Sequence, residues 1–133
     1  MRTLTQTLAG MALLALMSVA PVSAQDITVD LTVARAVVDR MPVDEGTKFP
    51  ADVGEVWCWT RVNGAEPGTT IEHVWMRGTE KMAIVPLRVG GSSWRTYSSK
   101  TIPREWSGEW HVYARDTDGN IFALQSFTVG DSM

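Results

Sequence analysis

Three features of this 133-residue sequence predict one fold class. Short runs alternate apolar and polar residues, the period of a strand with one wet face. Turn signals such as Asn63-Gly64, Pro67-Gly68, Gly90-Gly91 and Asp118-Gly119 separate the runs. Nowhere in the body of the chain do apolar residues recur at helical spacing. Together these predict an all-β chain, an antiparallel β-sandwich of immunoglobulin-like kind with about seven strands. The chain is organised around Trp94–Lys100 and Gly108–Val112, whose β-forming and aromatic residues predict strands at the centre of an antiparallel sheet.

The N-terminus reads differently. Leu8 to Val19 is an apolar run behind Arg2, and Pro21-Val22-Ser23-Ala24 supplies small residues before a cleavage point. The run falls short of the roughly 20 apolar residues that span a bilayer. Residues 1–24 are therefore expected to be a cleaved signal peptide, with 25–133 forming a single sandwich domain. The expected location is periplasmic or secreted, without membrane insertion after cleavage. The net charge of −3 becomes −4 when Arg2 is removed. An acidic chain without basic clusters argues against nucleic acid as a partner. Cys58 is the only cysteine, so no internal disulfide forms. It lies in an apolar, aromatic segment and is expected in the core as a reduced thiol.

The strands follow in order. Ile27, Val29, Leu31 and Val33 alternate with Thr28, Asp30 and Thr32, and the alternation blurs at Ala34 to Val38, where a bulge fits. Asp39 to Gly54, with Pro42, Pro50 and two glycines, reads as a long loop pinned by Phe49. Glu55–Val62 is the second strand, with Val56, Cys58 and Thr60 on one face and Trp57, Trp59 and Arg61 on the other. Thr69–Met76 carries His73 and Trp75 on one face. Lys81–Val89 contains Pro86, which predicts an edge strand because proline cannot donate to the ladder. Trp94–Thr101 is the fifth strand. Glu109–Arg115 and Asn120–Val129 form a closing hairpin. Trp110, Val112 and Ala114 make its core face, and Gly119 supplies the left-handed residue of its turn.

A set of motifs lies along these strands: His73-x-Trp75, Gly90-Gly91-x-x-Trp94-Arg95-Thr96-Tyr97-Ser98-Ser99-Lys100, Trp106-x-Gly108-x-Trp110-x-Val112, then Asp118-Gly119 and Phe127-x-Val129. From about Val33 to Val129 the chain resembles the bacterial domain-of-unknown-function 2914 family (DUF2914). The resemblance implies a fold and a habitat, and no mechanism. Such domains often follow a membrane-spanning segment; here the domain is expected to stand alone behind a signal.

Catalytic and metal-binding patterns are weak. In Asp116-x-Asp118-Gly119-Asn120 the glycine is fourth and position twelve is Phe127, so the spacing fits a hairpin turn and not a calcium loop. Two histidines and one cysteine offer no local ligand spacing, and no metal or cofactor is expected. Ser98 and Lys100 share a strand face without a nucleophile elbow. Cys58 with His73 or His111 would need an exposed, low-pKa thiol. No enzyme activity is expected.

The six tryptophans are the informative excess, because each brings about 150–250 Å² of surface. Trp110, Val112, Phe127 and Cys58 are expected in the core. His73, Trp75, Trp94, Arg95, Tyr97, Lys100 and Trp106 are the candidate ligand-binding residues, with His73 and Arg95 on neighbouring strands near Trp75. The expected function is an exported, non-enzymatic module that binds another protein. One alternative is a module that binds a cell-wall saccharide through exposed tryptophans; the other is a small hydrolase assembled from loops.

Overall fold

A computed structural model describes residues 26–130; the expected signal segment 1–24 lies outside them. Nine strands run in order: β1 (Thr28–Val38), β2 (Met41–Glu45), β3 (Lys48–Phe49), β4 (Gly54–Asn63), β5 (Thr70–Arg77), β6 (Glu80–Arg88), β7 (Ser93–Ile102), β8 (Gly108–Arg115) and β9 (Ile121–Val129). A short 3-10 turn, Arg104–Trp106, joins β7 to β8. The strands form two sheets, β2-β1-β4-β7 and β3-β9-β8-β5-β6. The predicted all-β sandwich is present. All strand pairs are antiparallel except β3 with β9.

Two expectations need correction. The segment 39–54 is not one loop, because it contains β2 and β3 and raises the strand count from seven to nine. Asp39 and Arg40 take positive φ values of 52° and 65°, the backbone of a two-residue hairpin turn without glycine. β1 therefore continues to Val38 and pairs with β2 from Ala34↔Glu45 to Val38↔Met41. The second correction concerns the Trp94–Lys100 stretch. It lies in β7, an edge strand, while β8 occupies the centre of its sheet. β7 has one ladder partner, β4.

The interior follows the alternation. Val56, Cys58, Thr60 and Val62 point inward from β4, and Ile71, His73 and Trp75 from β5. Trp110, Val112 and Ala114 do the same from β8. Aromatic rings fill one end of the core. Phe127 meets Phe49 edge-on at 5.9 Å, meets Trp75 edge-on at 6.2 Å and stacks with Trp110 at 6.2 Å. Such pairs add about 0.5–1.5 kcal/mol each beyond area burial. The opposite end is aliphatic, with Val62, Ala65, Ile71, Val89 and Ala114, and Trp94 packs against it. Gly90 makes that packing possible: a Cβ there would stand 2.7 Å from the Trp94 ring. β6, with Pro86, is an edge strand, as the proline predicts.

Candidate functional site

A chain of polar groups crosses the core between the sheets. Trp75 Nε1 donates to Ser98 Oγ at 3.3 Å, and Ser98 Oγ lies 2.6 Å from His73 Nδ1. Thr60 Oγ1 donates to the Thr96 carbonyl at 2.7 Å. Its hydrogen is thereby spent, so Thr60 can only accept from His73 Nε2, 3.1 Å away. These constraints fix the tautomer: Nε2 carries the proton and Nδ1 accepts from Ser98. The run reads Trp75 N–H to Ser98 to His73 to Thr60 to the Thr96 carbonyl, every member donating onward. It ties β5 of one sheet to β4 and β7 of the other.

This cluster holds the Cys58–His73 pair and Ser98 of the catalytic readings, and burial makes them inert, while Lys100 and His111 lie outside it. His73 is fully buried, which pushes its pKa down to about 4. Cys58 is also fully buried, 4.0 Å from His73 Nε2, and burial pushes its thiol pKa well up. A neutral imidazole beside a protonated thiol has neither the charge nor the access of a nucleophilic pair.

The candidate residues separate accordingly. His73 and Trp75 are both 0% exposed and cannot face a ligand; their role is interior. His73 and Arg95 do not neighbour each other: β5 meets β7 across the core through Ser98, and Arg95 lies on the other face of β7. Arg95 faces outward, opposite Arg61 across the β4–β7 ladder. Lys100 and Trp106 come together, the ammonium 5.2 Å from the ring centre. Trp94 receives the Arg40 guanidinium at 5.8 Å. Trp110, Val112, Phe127 and Cys58 lie in the core.

Of the candidate residues, Arg95 and Tyr97 share the outer face of β4 and β7. The register sets Arg61 beside Arg95, Trp59 beside Tyr97 and Trp57 beside Ser99. Trp57 and Tyr97 are half-buried, with ring centres 6.1 Å apart and planes tilted by 57°. Ser99 donates to Glu55 at 3.0 Å on the same face. The tip of the β1–β2 hairpin leans over this surface. Trp59 Nε1 donates to the Arg40 carbonyl at 2.9 Å, and Arg95 reaches the Met41 sulfur at 3.2 Å. Arg61 lies 5.5 Å from the Trp59 ring centre. The covered Trp59 is only 5% exposed, whereas Val38, Met41 and Val43 on the hairpin are exposed. Sequence reasoning missed this hairpin arm. Its signal is the apolar alternation of Ala36, Val38, Met41 and Val43 around Asp39-Arg40.

Elsewhere the chemistry is thin. An open groove of about 370 Å³ between β1, the β2–β3 connection and β9 has Glu45 as its one ionisable group. On the outer face of the second sheet, Ile84, Val74, Tyr113 and Leu124 align in register across four strands. That row is aliphatic apart from Tyr113. The Asp116 carboxylate is spent on its own turn, accepting from the Asp118 and Asn120 amides and the Asn120 side chain. The side-chain bond from Asn120 is the main cause of its lowered pKa.

No curated protein matches the chain. Among solved structures, it is similar to the β-glucosidase of Listeria innocua in complex with glucose. Identity there is 8%, the TM-score 0.45, and coverage 82% of this chain and 16% of that one. β-Glucosidase 3B of Thermotoga neapolitana in complex with α-D-glucose is similar at 16% identity and TM-score 0.46, covering 83% of this chain and 16% of that one. The β-glucosidase of Kluyveromyces marxianus is similar at 9% identity and TM-score 0.46, covering 83% and 15%. The chain thus spans 15–16% of the length of these enzymes. Residues 68–129, from just before β5 through β9, match the family model described as protein of unknown function (DUF2914), and the resemblance read from the aromatic and glycine motifs is borne out.

Proposed function

We propose that this protein is an exported, non-enzymatic β-sandwich module that binds another protein through the outer face of β4 and β7. One observation carries the reading: Trp57 and Tyr97 stand half-buried at the surface and 6.1 Å apart, with Arg61 and Arg95 beside them. Tryptophan, tyrosine and arginine are the side chains on which protein interfaces concentrate their binding energy. The exposed Val38, Met41 and Val43 of the hairpin arm add apolar surface next to those anchors. The 57° tilt between the rings offers no single flat platform for a sugar, so a protein partner is favoured over a cell-wall saccharide. The hydrolase reading loses support because Cys58, His73 and Ser98 are buried between the sheets, which leaves Lys100 and His111 without an accessible nucleophile among those candidates.

The test is capture of a partner from the native periplasm with the wild-type protein and with Trp57→Ala/Tyr97→Ala. Loss of two interface anchors costs about 2 kcal/mol or more, roughly a thirtyfold drop in affinity. The double variant should keep its β-sheet spectrum and lose the partner. Equal recovery by both proteins would remove this face from the interaction.

A further inference from the structure

The two sheets leave four edge strands, β2, β7, β3 and β6. Three of them are poor templates for another strand. β2 is five residues long and carries Pro42, and β3 has only two residues. β6 carries Pro86, and its ladder with β5 shifts register between Trp75 and Met76. These are the devices by which natural sheets blunt their edges. β7 is neither short nor broken by proline or a register shift, and its one protecting device is charge, Arg95 and Lys100. It runs ten residues without proline, in unbroken register with β4 from Gly54↔Ile102 to Asn63↔Ser93. Alternate residues of such a strand turn their N–H and C=O groups to the open side.

Its charge is also one-sided. β7 contains Arg95 and Lys100 and no acidic residue, in a chain whose net charge is −3. Arg95 lies directly across from Arg61, and like charges placed opposite each other weaken a ladder. Among the described residues neither cation of β7 has a carboxylate partner: Arg95 touches the Met41 sulfur and Lys100 rests against the Trp106 ring. The ion pair found among the described residues is elsewhere, Arg115 with Glu72.

We propose that the open edge of β7 is a docking site for an extended, acidic segment of a protein partner, which joins the β2-β1-β4-β7 sheet as a fifth strand. Main-chain hydrogen bonds supply the affinity in this mode, and alternate side chains supply the choice of partner. Arg61 has Asp30 across from it on β1, and a carboxylate on an added strand opposite Arg95 would do the same for the second arginine. A second copy of this chain fits less well. That face holds Asp30 across from Arg61 and Glu55 bonded to Ser99, so the cation left without an acid opposite it is Arg95, and antiparallel pairing of two β7 strands supplies it none. The proposal rests on the binding-module reading and names the edge and the partner chemistry.

The experiment uses three end-capped octapeptides. The first is Thr-Val-Thr-Val-Glu-Val-Thr-Val, the second replaces its Glu with Lys, and the third is the first with alternate amides N-methylated. Binding is followed by amide shifts in nitrogen-15 spectra of the protein. The Glu peptide should move the β7 amides and bind about two- to fivefold tighter than the Lys peptide, the effect of one cross-strand charge pair. N-methylation should abolish binding, and Arg95→Glu should invert the order of the two charged peptides. Three results would overturn the proposal. They are absence of binding, binding indifferent to N-methylation, and self-association through β7 that shuts the peptide out. If the peptides fail while Trp57→Ala/Tyr97→Ala still loses its captured partner, the edge is wrong and the binding face stands. Failure of both removes both.

Discussion

His73 makes the stability of this domain depend on pH in a defined window. In the unfolded chain its imidazole titrates near 6.5; in the folded protein burial pushes that value down to about 4. A group with a depressed folded pKa leaves stability intact above the unfolded value and removes it as pH falls toward the folded one. The interval from 6.5 to about 4 corresponds to a loss of about 3 kcal/mol. By the same relation about 1 kcal/mol is lost by pH 5.5 and about 2–3 kcal/mol by pH 4.5. Protonation also strikes the hydrogen-bond chain where it is most constrained, because Nδ1 would cease to accept from Ser98. The assay is urea unfolding by tryptophan fluorescence at pH 7.5, 5.5 and 4.5, on wild type and His73→Gln. Glutamine keeps a donor and an acceptor and cannot titrate. The variant should be weaker at pH 7.5, yet lose about 2–3 kcal/mol less than wild type on acidification to pH 4.5. Parallel pH curves would refute the reasoning. Should the variant not fold, the His73 ring resonances of the wild type decide: they should stay fixed down to pH 5.

Three further outcomes are expected. Trp110→Ala should cost about 3–5 kcal/mol, because the side chain is 1% exposed and stacked on Phe127. His111→Ala, one residue along on the outer face, should be mild; chemical denaturation compares the two. Gly90→Ala should destabilise by about 1–3 kcal/mol, the usual cost of overpacking, since the rigid Trp94 ring occupies the space of the new methyl. A melting curve reads this directly. Cys58, buried and with its thiol pKa raised by burial, should resist a thiol reagent in buffer and react fully in urea. Rapid labelling in buffer would contradict the burial.

Most of the sandwich was legible because alternation at period two survives wherever one face is dry. Trp110, Val112 and Ala114 against His111, Tyr113 and Arg115 is the plainest case. The β1–β2 hairpin escaped notice for a backbone reason. Its turn uses Asp39 and Arg40 in left-handed conformations, where glycine or asparagine would have signalled the reversal, and Pro42 argued against a strand. β3 is too short to show any period. At the site, the shared face of His73 and Trp75 was readable, but not which side of the sheet it takes. A buried histidine needs partners, and these are Thr60 and Ser98, 13 and 25 residues away on two other strands. No local pattern announces that pairing. Arg95 looked close to His73 for the same reason: sheet membership is a property of the long connections.

Those long connections also set the order in which the molecule can assemble. β5–β6 and β8–β9 are hairpins between consecutive strands, whereas β1–β4 and β4–β7 join segments far apart in sequence. Closing such loops costs chain entropy before any contact rewards it, and folds dominated by distant pairings take milliseconds to seconds. The two hairpins of the second sheet can therefore form early, bringing Trp75 and His73 with them. Ser98 and Thr60 arrive only when β7 and β4 close. Until then His73 lacks the cover and the two hydrogen-bond partners that β4 and β7 bring. Mildly acidic refolding should be slowed at this late closure step, leaving the early hairpins unaffected.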